Sequence, residues 1–293
     1  MVRHFDLTLG LPHTNRRGLW EPLLLMHAGH LHWQTIAATI GRPLSSLATR
    51  DGSAVYAAFY FIEAIFPDHA PIESFGVDDT LRFAIALRAF KNLTMEGRLQ
   101  FDRPEAMAPD AIDATSHPSL RFANIFITPR ASNRELKIVA PVGTDFSSLP
   151  VLPNDQNPYH LTRAARAEGS LGLFDSTWTP AEPFDYSYEI DGDRDTNGAG
   201  LVYFANYITF ADACESAWAR ARRVGERSVR HRRTAYYGNA EPGDRIRVRM
   251  LPFACGGQPG RLGARFTIER EGDRELICIS EVIKAVAPAA PAP

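Results

Sequence analysis

The chain has 293 residues, a charged fraction of 23% and a formal net charge of −2. It therefore lacks the basic field that attracts a phosphate backbone, and we expect no nucleic-acid partner. Its length suits two ordinary domains. The three cysteines, Cys214, Cys255 and Cys278, form no CxxC pair, so no disulfide framework is expected. No leader-like segment and no apolar run of membrane-spanning length is visible, and we expect a cytoplasmic protein without membrane contact.

The first half of the sequence predicts one long helix followed by long strands. Alternating apolar residues predict a short strand over 4–11, and apolar residues at helical spacing predict a helix over 21–40. Gly41, followed by Pro43, is expected to end this helix. Further strands are predicted over 54–66, 81–87, 93–101, 123–128 and 135–140. Together these elements define an N-terminal domain over residues 1–140.

The second half repeats the same order of elements. Residues 141–180 are rich in Pro, Ser, Asn and Asp and are predicted to be an interdomain connection. A C-terminal domain over 181–287 follows, and the Ala/Pro-rich tail, 288–293, is predicted to be disordered. The predicted elements are a strand over 184–190, a helix over 207–223, and strands over 245–250, 262–270 and 275–286. The order predicts an α+β fold with two long antiparallel sheets, each wrapped around a central helix and paired edge to edge.

One six-residue sequence motif, called the repeated phrase below, occurs twice, each time just before a predicted helix. Thr14-Asn15-Arg16-Arg17-Gly18-Leu19 returns 182 positions later as Thr196-Asn197-Gly198-Ala199-Gly200-Leu201. The repeat indicates two copies of one fold. Backbone N–H groups near Gly200 and Leu201, at the entrance of a helix, are suited to bind a developing oxyanion.

The residues around Asn197 resemble the active-site turn of the hot-dog thioesterases, in particular the hydroxybenzoyl-CoA thioesterase group. The stretch from Asp193 to Tyr207 matches the pattern Asp-x-x-Gly-(Ile/Val)-Val-Tyr of that group, and Asn197 takes the place of its catalytic Asp. An Asn cannot act as base or nucleophile, but its amide can donate a hydrogen bond to a thioester oxygen or an enolate. A simple turn or cap residue is the alternative interpretation of Asn197.

Both halves also resemble the double hot-dog family of polyketide gene clusters typified by the leinamycin-pathway acyltransferase/decarboxylase. The motifs are Val55-Tyr56-Ala57-Ala58-Phe59-Tyr60, Tyr203-Phe204-Ala205-Asn206-Tyr207 and Tyr236-Tyr237-Gly238-Asn239-Ala240. The resemblance implies an enzyme that decarboxylates a malonyl- or methylmalonyl-type CoA thioester and transfers the acyl group to an acyl carrier protein. CoA or phosphopantetheine would belong to the substrate, with no tightly bound cofactor. The resemblance implies an acyl-accepting tyrosine at Tyr56, with Tyr60 as second choice; a core aromatic is the alternative for each.

Further candidates surround the two repeated phrases. Asn15, His13 and Arg17 of the first copy are candidate substrate-binding residues, together with Tyr60 and Tyr203. Arg17 suits a substrate carboxylate or a CoA phosphate, or is merely solvated. A basic rim for CoA or an acidic carrier protein is predicted at Arg220, Arg222, Arg223, Arg230, Arg232 and Arg233. A solvated helix end is the alternative for the first three.

Other functions remain open at this point. His27, His30 and His32 lack the carboxylate that would complete a metal-binding motif, so no metal is expected. The chain is alternatively a thioesterase, or a dehydratase that uses His27 or His30 with Asp212 or Glu215, acting on a carrier-bound acyl chain. A non-catalytic module that binds a carrier protein is a third possibility, and a homodimer is left open.

Overall fold

A computed structural model describes residues 2–91, 93–107, 112, 116–130, 132–258 and 260–286. The chain divides into two compact units, residues 1–160 and residues 161–293. Their boundary falls inside the segment 141–180. The predicted disordered tail, 288–293, lies outside the described residues. Within the described ranges, no helix combines the length and apolarity that a bilayer crossing requires.

The first unit is built on an antiparallel sheet with one long helix against it. Five strands follow the order β1-β5-β6-β7-β4, and β8 pairs with β7. The pair β2-β3 forms a separate small hairpin. The strands are β1 (Val2–Thr8), β2 (Thr14–Asn15), β3 (Gly18–Leu19), β4 (Tyr56–Ile65), β5 (Thr80–Phe90), β6 (Thr94–Asp102), β7 (Ser119–Pro129) and β8 (Leu136–Ile138).

The helix of this unit, α1, spans Glu21–Ile40, which confirms the sequence prediction. Pro22 in the first turn fits a position whose N–H has no helical partner, and Gly41 ends the helix with a left-handed φ of 69°. The helix packs against β5 and β7. Leu25, Ala28 and Ile36 are completely buried there.

Part of the predicted connection belongs to the core of the first unit. Leu152 N–H donates to the Ala89 carbonyl at 2.7 Å, and the ring of Phe146 stacks on Phe126 with centroids 5.7 Å apart. Both Leu152 and Phe146 are buried. The polar composition of 141–160 gives no sign that these two apolar residues are buried. The segment packs against the sheet of the first unit and is more than a connection between domains.

The second unit has the same plan. Its sheet order is β11-β14-β13-β12-β10, with β9 paired to β12, and α4 packs against β10, β12 and β14. The helices are α2 (Tyr159–Glu168), which starts in the first unit, α3 (Gly192–Asp195) and α4 (Phe204–Arg222). The strands are β9 (Trp178–Pro180), β10 (Phe184–Glu189), β11 (Arg227–Tyr236), β12 (Arg245–Cys255), β13 (Arg261–Arg270) and β14 (Leu276–Val286).

The internal duplication is visible in the strand order. In each unit the main-sheet strand that precedes the long helix, β1 or β10, and the strand that follows the helix, β4 or β11, occupy opposite ends of that unit's sheet. The strands after the helices, β4 and β11, both carry a bulge, at Tyr60 and Arg230 respectively. Two copies of a long antiparallel sheet with one long helix confirm the predicted α+β architecture.

The two long helices carry a polar contact to the sheet at the same position. His32 and Glu215 are the twelfth residues of α1 and α4, and both are buried. His32 Nε2 and Asn124 Oδ1 are 2.8 Å apart, whereas the Glu215 carboxylate pairs with Lys284. Asn124 and Lys284 each lie opposite the residue that precedes the bulge of the neighbouring strand. One contact is therefore neutral and the other ionic in otherwise equivalent places.

His32 is completely buried between α1 and the sheet. Because Asn124 Oδ1 can only accept, His32 Nε2 carries the proton and Nδ1 is unprotonated. Nδ1 faces Gly97 so closely that a Cβ at this glycine would lie 2.2 Å from it. Burial lowers the pKa of His32 to about 4. This histidine is therefore a neutral core residue.

Candidate functional site

The second copy of the repeated phrase forms a tight hairpin turn between α3 and α4. Thr196 pairs with Val202, the Asn197 N–H donates to the Leu201 carbonyl at 2.8 Å, and the Gly200 N–H donates to the Asn197 carbonyl at 2.8 Å. Gly200 adopts a φ of 73°, a conformation that glycine reaches without strain. The loop between Asn197 and Leu201 therefore has three residues.

The side chain of Asn197 is fixed by this turn. Its Oδ1 accepts hydrogen bonds from the N–H groups of Ala199 at 2.9 Å and Leu201 at 3.2 Å. These two donors determine which side-chain atom is oxygen and which is nitrogen. Nδ2 donates to nothing within the described part of the chain, and the residue is half-buried. Asn197 is thus both a turn residue and a hydrogen-bond donor available to a ligand.

The structure brings Gly200 and Leu201 next to Asn197 but gives their N–H groups partners inside the turn. Gly200 donates to the Asn197 carbonyl and Leu201 donates to Asn197 Oδ1. The helix itself begins later, at Phe204, with Tyr203 as its N-cap residue. Among these three residues, the Asn197 amide is the group with donors left for a substrate oxygen.

Asp195 holds both ends of the turn through hydrogen bonds, a role that was not predicted from the sequence. Its carboxylate is buried and accepts hydrogen bonds from the Tyr188 hydroxyl and the Asp191 N–H, each at 2.9 Å. Its carbonyl accepts from Tyr203 N–H at 2.9 Å and Asn206 Nδ2 at 3.0 Å. The residue therefore ties β10 and the beginnings of α3 and α4 to the Asn197 turn. The signal in the sequence is an acidic residue two positions before Asn197.

The tyrosines beside this turn stay protonated at neutral pH. Burial, reinforced by the hydrogen bond to Asp195, raises the pKa of Tyr188 to about 12. Burial alone raises the pKa of Tyr203 to about 12. Both phenols can donate or accept hydrogen bonds, but neither supplies a phenolate near pH 7.

The first copy of the phrase forms a narrower turn. Thr14 pairs with Leu19 and Asn15 with Gly18, so only Arg16 and Arg17 lie in the loop. The two phrases are 182 positions apart in the sequence, whereas the helices that follow them, α1 from Glu21 and α4 from Phe204, start 183 positions apart. The second copy contains one extra residue, at its candidate site.

The candidate residues of the first copy are placed around this hairpin. Asn15 Oδ1 accepts one hydrogen bond, from the Arg17 N–H at 2.8 Å, and His13 Nδ1 accepts from the Gly10 N–H at 2.9 Å. Gly18 has a φ of 124°, and a Cβ there would lie 2.7 Å from the Glu73 carbonyl oxygen. Asn15 and Arg17 are exposed. The hairpin is thus locked to the 72–74 segment by a glycine, and its two arginines occupy the turn.

The two candidate tyrosines of β4 differ in their surroundings. The Tyr60 hydroxyl donates to Asn157 Oδ1 at 2.9 Å, and burial raises the pKa of this phenol. Tyr60 is a buried residue of the bulge, as the core-aromatic alternative predicts. Tyr56 is the first residue of β4, pairs with Ile127 and is half-buried.

The predicted basic rim does not form one exposed surface. Arg220, Arg222 and Arg223 are exposed at the end of α4, where Arg222 pairs with Glu182 at 2.7 Å. Arg232 is 1% exposed and pairs with Asp212 at 3.2 Å, so its assignment to an exposed rim does not fit. The half-buried Arg230 and Arg233 donate to the backbone carbonyls of Val229 and Leu171, respectively.

The carboxylates of the dehydratase alternative are occupied by cations of the second unit. Asp212 pairs with Lys284 and Arg232, and Glu215 pairs with Lys284 and Arg227. The histidines of that alternative are on α1. Burial lowers the pKa of His27 to about 4, and its ring lies 5.2 Å from that of Phe83. Among the described residues, no group of three or more His, Cys, Asp or Glu is placed to hold a metal ion.

Solved structures of similar fold were found, although no family model and no curated protein matches this sequence. A protein described as an oleoyl thioesterase from Lactobacillus plantarum is 10% identical over 98% of this chain and 97% of its own, with a TM-score of 0.66. A 12:0-ACP thioesterase from Umbellularia californica is 10% identical over 98% and 94%, with a TM-score of 0.65. An acyl-ACP thioesterase from Bacteroides thetaiotaomicron is 11% identical over 97% of both chains, with a TM-score of 0.58.

The chain has the double hot-dog fold. The match covers nearly the whole of this chain and of the three neighbours, so both units take part in it. At 10–11% identity the likeness concerns the fold, and the activities printed for the neighbours are theirs.

Proposed function

We propose that this double hot-dog protein acts on acyl thioesters and that the Asn197 amide binds the thioester carbonyl oxygen. The observation that carries the proposal is the fixed orientation of Asn197. Two backbone N–H groups hold Oδ1 in the turn, and Nδ2 is left with donors for a ligand. The similarity in fold to an oleoyl thioesterase and to acyl-ACP thioesterases supports the same class of substrate.

Decarboxylation of a malonyl- or methylmalonyl-type thioester suits a neutral donor at this position. The bond between the carboxylate carbon and the α-carbon breaks, and its electron pair moves toward the thioester carbonyl to form an enolate. Carbon dioxide leaves, and water supplies the proton that the α-carbon then takes up. The enolate oxygen gains negative charge, so a preorganised amide donor stabilises it and a carboxylate at the same place would repel it. No general base is needed for the bond-breaking step.

Acyl transfer to a carrier protein would complete the proposed reaction. The phosphopantetheine thiol of the carrier attacks the acyl carbonyl carbon and the CoA thiolate leaves, directly or by way of an acyl-tyrosine at Tyr56. The exposed arginines Arg220, Arg222 and Arg223 are suited to the phosphates of CoA or to an acidic carrier surface. We propose no bound cofactor beyond the CoA or phosphopantetheine of the substrate.

Product analysis by mass spectrometry tests this proposal. The protein is incubated with malonyl-CoA and methylmalonyl-CoA, with and without a carrier protein. Carbon dioxide loss without free acid supports the decarboxylase, and an acyl-carrier product supports transfer. Free acid would instead indicate a thioesterase. Retained carrier binding without turnover would indicate a binding module.

Two variants separate the amide donor from the turn. Asn197→Ala removes Nδ2 together with Oδ1, and Asn197→Asp keeps an oxygen for Ala199 and Leu201 while replacing the donor by a charge. Loss of one oxyanion donor typically lowers kcat by about 10²–10³-fold, and we expect a loss of this size in decarboxylation for both variants. Full decarboxylation by Asn197→Asp would contradict the role given to Nδ2.

A further inference from the structure

Asn197 is followed by Gly198, and this is the only Asn-Gly dipeptide in the sequence. In such a pair the backbone nitrogen of the second residue can attack the side-chain carbonyl carbon of the asparagine. Glycine has no side chain to obstruct that attack. In the first copy of the phrase, Asn15 is followed by Arg16, whose side chain obstructs the same attack, so only the second copy contains an Asn-Gly pair.

The local structure leaves this attack open. Gly198 is exposed, and a Cβ built on it meets nothing within 4 Å. Within the described residues its N–H donates no hydrogen bond, so the nitrogen is not held by a partner. The side-chain carbonyl oxygen of Asn197, Oδ1, accepts hydrogen bonds from two backbone N–H groups. Those donors withdraw electron density from the side-chain carbonyl and stabilise the oxyanion that forms on it when a nucleophile adds.

We propose that Asn197 is a site of spontaneous deamidation that changes the chemistry of the Asn197 turn. The Gly198 nitrogen forms a bond to Asn197 Cγ, the Cγ–Nδ2 bond breaks, and ammonia leaves with the proton lost from the Gly198 nitrogen. A molecule of water then opens the cyclic imide. The net reaction consumes one water, releases one ammonia and converts the asparagine into an aspartate or an isoaspartate.

The aspartate product alters what the turn can do to a thioester. Its carboxylate keeps an oxygen for the N–H groups of Ala199 and Leu201, and charge strengthens those hydrogen bonds. The donor that stabilises an enolate is lost, and a group that can attack a carbonyl or activate water replaces it. Deamidation therefore diminishes decarboxylation and introduces hydrolysis. This consequence rests on the proposed function, whereas the modification itself does not.

The modification can be followed without an activity assay. Purified full-length protein is aged in water enriched in heavy oxygen at several alkaline pH values and then digested with trypsin. Cleavage after Arg194 and Arg220 places Asn197 and Asn206 in one peptide, so Asn206 is an internal control. Asn206 has a bulky following residue, Tyr207, and its Nδ2 is bound to the Asp195 carbonyl. We expect a labelled carboxyl group at residue 197, increasing with time and pH, and none at residue 206.

Gly198→Ala is the matched variant, since the open space around Gly198 accommodates a methyl group. We expect it to lose conversion over the same period while its circular dichroism and thermal midpoint stay unchanged. Conversion of Asn197 no faster than that of Asn206, or undiminished conversion in Gly198→Ala, would overturn the proposal.

The functional half is tested on the same samples. Aged protein should gain release of free acid from acyl-CoA in proportion to the labelled aspartate at residue 197, counted apart from the isoaspartate, and freshly made Asn197→Asp should show the same activity per aspartate. A converted protein without hydrolysis would overturn this half. Absence of decarboxylation in the fresh, unconverted protein would instead refute the proposed function, so the two failures are distinguishable.

Discussion

The buried His32 is expected to make the stability of the fold sensitive to acid. Burial lowers its pKa from 6.5 to about 4 in the folded chain. Because the unfolded chain binds this proton more tightly, the stabilisation is complete above pH 6.5 and is lost as the pH falls from 6.5 to 4. At about 1.36 kcal/mol for each pKa unit, the difference corresponds to about 3 kcal/mol.

The variant His32→Gln isolates this effect. Glutamine can still donate a hydrogen bond to Asn124 Oδ1, but it does not titrate. The free energy of unfolding is measured by urea titration, followed by circular dichroism, at a series of pH values between neutrality and 4. We expect the wild type to lose about 3 kcal/mol more than the variant over this range. Other titrating groups such as His27 are present in both proteins, so the difference reports the proton taken up by His32, including its interaction with Glu96.

Parallel pH profiles for wild type and His32→Gln would contradict the predicted loss of stability. They would mean that His32 takes up its proton in the folded state as readily as in the unfolded one. The structure argues against that outcome, because Nδ1 lies directly beside Gly97 and the side chain is inaccessible to solvent. Within the described residues, a cation there would have no carboxylate at hydrogen-bond distance, and the charge of Glu96 only partly offsets the effect of burial on the pKa of His32.

Two further predictions concern the same contact. Gly97→Ala places a Cβ 2.2 Å from His32 Nδ1 and should lower the free energy of unfolding by about 1–3 kcal/mol, whereas adding His32→Ala should recover part of that loss in a double-mutant cycle. His32→Glu buries a carboxylate beside Asn124 without a cation and should cost about 3–5 kcal/mol. Adding Asn124→Lys recreates the pair that Glu215 makes with Lys284, and the thermal midpoint of the double variant should lie above that of His32→Glu. Equal midpoints would contradict the equivalence of the two contacts.

The sequence predicted the architecture well, since its signals are strong and local. The bounds of α1 follow from apolar spacing and from Gly41, and β12 was predicted over 245–250, with the correct start but short of its end at Cys255. The start of α4 was predicted three residues late, at Tyr207 instead of Phe204. The strand β11 gives a weaker signal, because arginines occupy several of its positions.

The sequence identified the Asn197 turn as the candidate site, but it did not predict the geometry of that turn. The repeated phrase identifies both turns, yet their width depends on strand pairing: Thr14 pairs with Leu19, while Thr196 pairs with Val202, one position further along. The bracing role of Asp195 was missed for a similar reason, since its partners come from three different elements. Spacing along the chain does not encode such contacts. The burial of Arg232 likewise depends on its pairing with Asp212.

The unlike contacts at the twelfth helix position bear on how a duplicated chain avoids misfolding. During folding, each long helix can meet either of two sheets of the same design. A swapped arrangement would place Glu215 against the uncharged Asn124 and would leave Lys284 facing a histidine that carries no charge. Both mismatches bury an ion without a counterion, which costs several kcal/mol per ion. The two unlike contacts thus disfavour any arrangement in which the two long helices exchange sheets.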